Sequence, residues 1–388
     1  MTTARHLDIH ALHPTPAANL NSDESGEPKS LELGGATRTM VSSQAWKRSI
    51  RLAVEAELDE RAARTRMIPV RVADTLHGQG WPEDLAMFAA AQIAASAKKG
   101  GLKTNPEEGH RTQAMFYVPT DTVRHLTVLC DTHRNALQEA LDRQNTSKKP
   151  APTLLPTDEI AALLVRRTAS ISLFGRMLTE ITDGHVEAAV QMAPAFTVHR
   201  SELQPDYFTA VEDWPRPGEK GSAHLNTAYR ATGLFYRFAT INITTLVANL
   251  DGDTATARTL VDLFTQAFIM TMPRGGQTSA AAHTVPDLVH YVVRDRRPVS
   301  YGAAFDEPVR SRGQGYVPPA RQALTQYATT IDRLIGTRHR ITHGHAIAAG
   351  TPLEELGTHH ASFEDLAATC SRAALPETPD DTLDEVAA

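Results

Sequence analysis

At 388 residues and 41% hydrophobic content, the chain suits one elaborated domain or two to three smaller ones and has room for a sizeable core. Its two cysteines, Cys130 and Cys370, lie far apart without a CxxC pattern, which excludes a disulfide framework and a cysteine-built zinc site. The net charge of -6 sits in the tail: residues 351–388 hold nine acidic side chains against one basic, Arg372, leaving 38 basic and 36 acidic elsewhere, so a polyanion-binding surface has to be made locally by clustering.

The opening MTTARHLDIHALH has neither the basic start nor the apolar core of a signal peptide, and no apolar run approaches about 18 residues. A cytoplasmic chain without a membrane partner is expected. In residues 5–12, RHLDIHAL, Leu7, Ile9 and Ala11 alternate with His6, Asp8 and His10, which predicts a half-buried strand. A polar stretch, NLNSDESGEPKS, and the pair Gly34-Gly35 lead to a second strand, TRTMV, at 37–41. Ser42 and Ser43 offer an N-cap to a helix starting near Gln44. On that helix Trp46, Ile50, Ala53 and Glu57 share one side, and Gln44, Lys47, Arg48 and Arg51 the other. The basic side reads either as a solvated face or as a phosphate platform, since a helix N-terminus with hydroxyls and cations suits anions. Spacing does not decide between them.

Residues 60–170 read as mostly helical, with helices over 81–98, 119–143 and 156–168 and loops at 98–111 and 144–156. This is a helical insertion between the strands of a mixed domain. His110 and His125 are isolated, and neither is a ligand candidate. In ISLFGRMLTE, 171–180, an apolar strand is expected to end at Gly175, followed by Arg176 and Met177; a lone methionine there is ordinary core filling. Residues 206–242 hold the most specific pattern: two alternating arms, at Tyr207 to Val211 and Leu234 to Ile241, flank a polar tip at Pro215 to Gly221. A hairpin of this kind has little core of its own and needs a partner. A helix at 251–272, a loop PRGGQTSAAAHTVP, a strand DLVHYVVRD and a helix at 319–335 follow. His339, His343 and His345 lack both helical ligand spacing and a nearby carboxylate, so no metal is expected, and the acidic tail after Pro376 reads as disordered. The sequence has no GxGxxG, Walker A, HExxH or GxSxG signature in a fitting context, and nothing in it demands an enzyme or a cofactor.

Three segments together resemble the CasC-type backbone subunit of Cascade, the RNA-guided surveillance complex of bacterial type I-E CRISPR systems. They are VSSQAWKRSIR (41–51), LFGRM (173–177) and DYFTAVEDW...GSAHLNTAYRATGLFYRFATIN (206–242). LDIHAL, NLN and the later glycine pair fit as well, and the likeness covers about residues 5–300. The resemblance implies an α+β fold. It has a ferredoxin-like, RNA-recognition-motif-like palm at 1–60 and 171–350, helical fingers at 61–170, a β-hairpin thumb at 200–242, and a separate acidic tail at 351–388. It implies a non-catalytic subunit that oligomerises along CRISPR guide RNA and, with other Cascade subunits, presents it for pairing with a target DNA strand. Residue by residue, Ser42, Gln44, Lys47, Arg48 and Arg51 would grip guide phosphates without regard to sequence, with Lys29 nearby. Arg176, Met177, His224 and Leu225 would lie where the guide is kinked, Met177 and Leu225 wedging bases apart. The loop PRGGQTS departs from a basic segment of relatives, so phosphate contacts from 273–279 are not expected. Two other readings stay open: an RNA-cleaving backbone subunit using Asp23, and a protein-only scaffold.

Overall fold

The computed structural model describes residues 4–147, 153–211, 213–214 and 222–376, and for 147, 210, 211 and 222–225 the backbone alone. The expected hairpin tip at Pro215 to Gly221 and the tail after Pro376 lie outside the described residues. Residues 1–54 and 190–388 form one compact unit and residues 55–189 another. The boundaries expected at 60/61 and 170/171 both fall inside the second unit. No helix among the described residues is long and apolar enough to cross a membrane.

The first unit is built on a ten-stranded sheet. Its strands are β1 (His6–Ala18), β2 (Ser30–Leu33), β3 (Ala36–Val41), β4 (Val190–Met192), β5 (Ala195–Thr197), β6 (Gln204–Val211), β7 (Ser222–Asn242), β8 (Leu288–Arg294), β9 (Arg340–Ile347) and β10 (Thr358–His359). They run in the order β10-β9-β8-β1-β7-β5-β3-β2, with β4 and β6 also on β7. All the pairs are antiparallel except β9 with β10. Between β7 and β8, β1 is central, and this corrects the half-buried expectation. Leu7, Ile9 and Ala11 are buried, and so are Asp8 and His10. Burying the polar face is offset by specific partners: Asp8 Oδ2 pairs with Arg294 at 3.0 Å and accepts from Val299 N, and His10 Nδ1 bonds the Tyr236 hydroxyl at 2.9 Å while its ring stacks on Tyr301.

Alternation then assigns the two faces. Leu12, Tyr236 and Leu288 pack with Ala320 and Leu324 of the helix Val317–Ile335, while Arg237 points the other way, to the Phe268 carbonyl of the helix Thr254–Met270. That second helix is capped as its Asp-rich start suggests, with Asp253 Oδ1 accepting from Thr256 N at 3.0 Å.

The second unit is mainly helical. The helices Ile68–Gly78, Glu83–Ser96, Thr122–Thr132, Arg134–Ser147 and Thr157–Val165 enclose Leu76, Trp81, Leu85, Ile93, Phe116, Leu126 and Leu137. The single helix expected over 119–143 is two, parted at His133. The apolar strand expected at 171–174 is instead a helix, Ala169–Phe174, because Thr168 caps it by accepting from Ile171 N. Gly175 ends it at φ 73°, where a Cβ would come within 2.8 Å of Ala188 N, so only glycine fits.

Candidate nucleic-acid interface

The basic helix Ser43–Glu57, α1, starts as its sequence suggests: Ser42 Oγ accepts from Ala45 N at 3.3 Å. The backbone of Ser42 is held in turn, its N–H donating to Asn21 Oδ1 at 2.9 Å. Asn21 O accepts from Lys29 N, and Lys29 O accepts from Met40 N, so Lys29 and Ser42 meet at one end of the β2–β3 hairpin. Trp46, Ile50 and Val54 form the buried stripe of α1, while Ala53 is half-buried and Glu57 exposed. Gln44 and Arg48 are exposed, and Lys29, Ser42 and Lys47 half-exposed. Arg51 corrects the expected basic face: it follows Ile50 on the inward turn and is 8% exposed.

What fixes α1 on the sheet is a buried cation. The Arg237 guanidinium lies 3.7 Å over the Trp46 ring and 4.3 Å over Phe268. It also donates to His13 Nδ1 at 2.8 Å. Because arginine only donates, His13 carries its proton on Nε2, which donates to the Thr284 carbonyl at 3.0 Å. Burial brings Arg237 down to about 9, and burial together with Arg237 brings His13 down to about 3. At neutral pH the histidine is therefore an uncharged acceptor.

Two further segments converge here. Gly275 and Gly276 let the loop after Pro273 close on Asn19-Leu20: a Cβ on Gly275 would lie 2.5 Å from Leu20 O, and one on Gly276 2.9 Å from Asn19 O. Arg274, the one cation of this loop, is exposed. The base of the hairpin is tied to the same loop by Arg230, which donates to Asp206 Oδ2 at 2.8 Å and to Ser279 O at 3.3 Å. Asn21, Arg230 and Arg237 were not legible as site residues, because each acts through a partner far away in sequence. The loop from Asn21 to Lys29 is not uniformly basic. Asp23, Glu24 and Glu27 lie on it, and Asp23 Oδ1 accepts from Ser25 N and Glu27 N at 2.8 and 3.0 Å.

Arg176 and Met177 belong to the second unit. The structure buries Arg176, 3% exposed, inside a ring of carbonyls: Gly184 at 2.7 Å, Val165 at 2.7 Å, Arg166 at 2.8 Å and Tyr117 at 3.2 Å. Burial, with Arg167 near, lowers it to about 10, so it stays charged at neutral pH. A guanidinium so enclosed clamps its own unit, where an outward-facing cation was expected. Met177, its neighbour, is 83% exposed. In the hairpin, His224 and Leu225 stand opposite Ala210 and Thr209 in register. Their side chains lie outside the described residues. Tyr207 and Phe208 are exposed on β6.

The family model described as CT1975-like protein matches residues 7–369. A chain of the solved structure "CRISPR RNA-guided surveillance complex, pre-nicking" is 39% identical, with a TM-score of 0.88 over 95% of this chain and 100% of that one. A chain of a "CRISPR RNA-guided surveillance complex" is 36% identical, with a TM-score of 0.78 over 95% of this chain and 100% of that one. No curated protein matches.

Proposed function

The chain belongs to the CT1975-like protein family, and on that premise we propose that it is a non-catalytic, guide-RNA-binding backbone subunit of a Cascade-type surveillance complex of type I-E. In this reading the unit with the ten-stranded sheet is the palm bearing the hairpin thumb, and the helical unit is the fingers. Copies stack along CRISPR RNA in the cytoplasm and, with other subunits, hold the target DNA strand. The observation that carries the reading is the convergence at the capped N-terminus of α1. Ser42, Gln44, Lys47 and Arg48 present hydroxyl, amide and cations next to Lys29, and Arg274 is exposed on the loop that closes on Asn19-Leu20. Such a set binds phosphates and not base edges, as a subunit accepting any guide sequence requires. Met177, exposed beside a clamped Arg176, suits a wedge between bases, and Arg176 becomes the residue that positions it.

The cleavage reading draws on Asp23. Its Oδ1 is engaged by two backbone N–H groups of its own turn, which favours a structural part. Co-expression with the other complex subunits and a guide array tests the proposal. RNA of one defined length should co-purify with the assembly, and Asp23→Ala should leave that RNA unchanged. An assembly free of RNA would leave the protein-only scaffold as the reading.

A further inference from the structure

We propose that the sheet-bearing unit has a second nucleotide site: a cleft of about 390 Å³ lined by Arg200, Arg310, Ser311 and Tyr316, which takes one unstacked nucleotide of a single strand. Its base lies on Tyr316, and its phosphate between the two guanidiniums. The platform is rigid. Tyr316 stacks on His199 with centroids 3.7 Å apart and planes 11° off parallel. His199, buried, is pinned on both nitrogens, donating to Arg200 O at 2.7 Å and accepting from Leu234 N at 3.2 Å. Tyr316 itself is 36% exposed, so ring surface stays open toward the cleft. Arg200 is exposed, and among the described residues no carboxylate pairs with it. Among the described residues Arg310 pairs with Glu307 alone, at 3.8 Å between two side chains about four-fifths exposed, a pair worth little in water. Beneath them Arg38 is wholly buried, bonded to the carbonyls of Thr197, Phe305 and Asp306, and burial, with the Arg38 charge added, lowers His199 and keeps its ring neutral.

The volume suits one nucleotide. Two guanidiniums alone would accept an acidic peptide equally well, but an open aromatic ring fixed face to face on a second ring favours a flat base. The cleft is separate from the α1 platform. Ser201 N donates to Thr37 O, so the cleft lies at the Thr37 end of β3, while Ser42 follows its other end. Five residues of strand separate the two by about 16 Å. The inference goes beyond the guide platform and rests on the proposed function only for the origin of the strand.

The test uses the full chain and short fluorescein-labelled oligouridylate and oligothymidylate, with binding followed by anisotropy. Tyr316→Ala, and separately Arg200→Glu with Arg310→Glu, should each weaken binding about tenfold, whereas Tyr316→Phe should bind as the wild type. If Tyr316→Ala melts, the exposed arginine pair carries the test alone. Unchanged affinity in the arginine variant, or no binding of either probe by the wild-type chain, overturns the inference. Arg48→Ala separates it from the α1 platform. Loss there with intact cleft variants keeps the platform and removes the cleft, and the reverse keeps the cleft and removes the platform. In the guide-loaded assembly, cleft variants that lose guide assign the site to RNA. Variants that keep guide but lose single-stranded DNA assign it to DNA.

Discussion

Arg176 and Met177 sit side by side in LFGRM, yet one is enclosed by carbonyls and the other stands in solvent. Charge in a sequence says what a residue can bind, not whether the fold has already bound it. The same holds for Arg51, which periodicity placed with Arg48 and the structure turns inward. Arg176→Ala should cost about 3 kcal/mol or more in a urea unfolding series, because several buried carbonyls lose their donors at once. Met177→Ala should stay within about 0.5 kcal/mol, as an exposed substitution does. It should also change the chemical reactivity of regularly spaced guide nucleotides in the assembly. Equal destabilisation by the two variants would contradict the assignment of clamp and wedge.

Among elements, those with a clear period were legible: β1, the hairpin arm at Tyr207 to Val211 and the helix Thr254–Met270 appear where alternation or helical spacing puts them. The other expected arm does not, because Leu234 to Ile241 pairs with β1 and the arm opposite Tyr207 to Val211 is the earlier part of β7, from Ser222 to Thr227. The short apolar run ISLF was not, since a run of that length fits a strand or a helix until its cap is known. Nor was the meeting of Gly275 with Leu20, or of Arg230 with Ser279, because no local pattern reports a contact between distant segments. The cap of α1 was legible, and it offers a clean measurement. Ser42→Ala should lower stability by about 1 kcal/mol and Ser42→Gly by only a few tenths. Equal effects would mean that the hydroxyl does not cap the helix.

Across the whole molecule, buried histidines set the response to acid. Burial lowers His13 and His290 to about 3 and His343 to about 4, and His10 well below its usual value. Unfolding restores each to about 6.5, so between those values the unfolded chain binds more protons. The stability they contribute is complete above about pH 6.5 and is lost as pH falls toward 4 and 3, at up to about 1.4 kcal/mol per group per pH unit. Asp8, raised to about 6 by burial, acts oppositely between about 3.8 and 6, and Asp262, also raised by burial, acts in the same sense as Asp8. The lowered histidines, with His6, His110, His199 and His345 among them, outnumber these two carboxyls. The urea midpoint should therefore fall from pH 7 to pH 5, and a rise would contradict the neutral, buried state of these rings. The central claim is that the N-terminus of α1 grips phosphate backbone irrespective of sequence, and the salt dependence of RNA binding tests it most directly. Lys47→Ala with Arg48→Ala should weaken binding equally for unrelated RNA sequences and reduce the slope of log affinity against log salt by about 1.4, two phosphates' worth on a single strand. An unchanged slope, or a loss confined to some sequences, would contradict it.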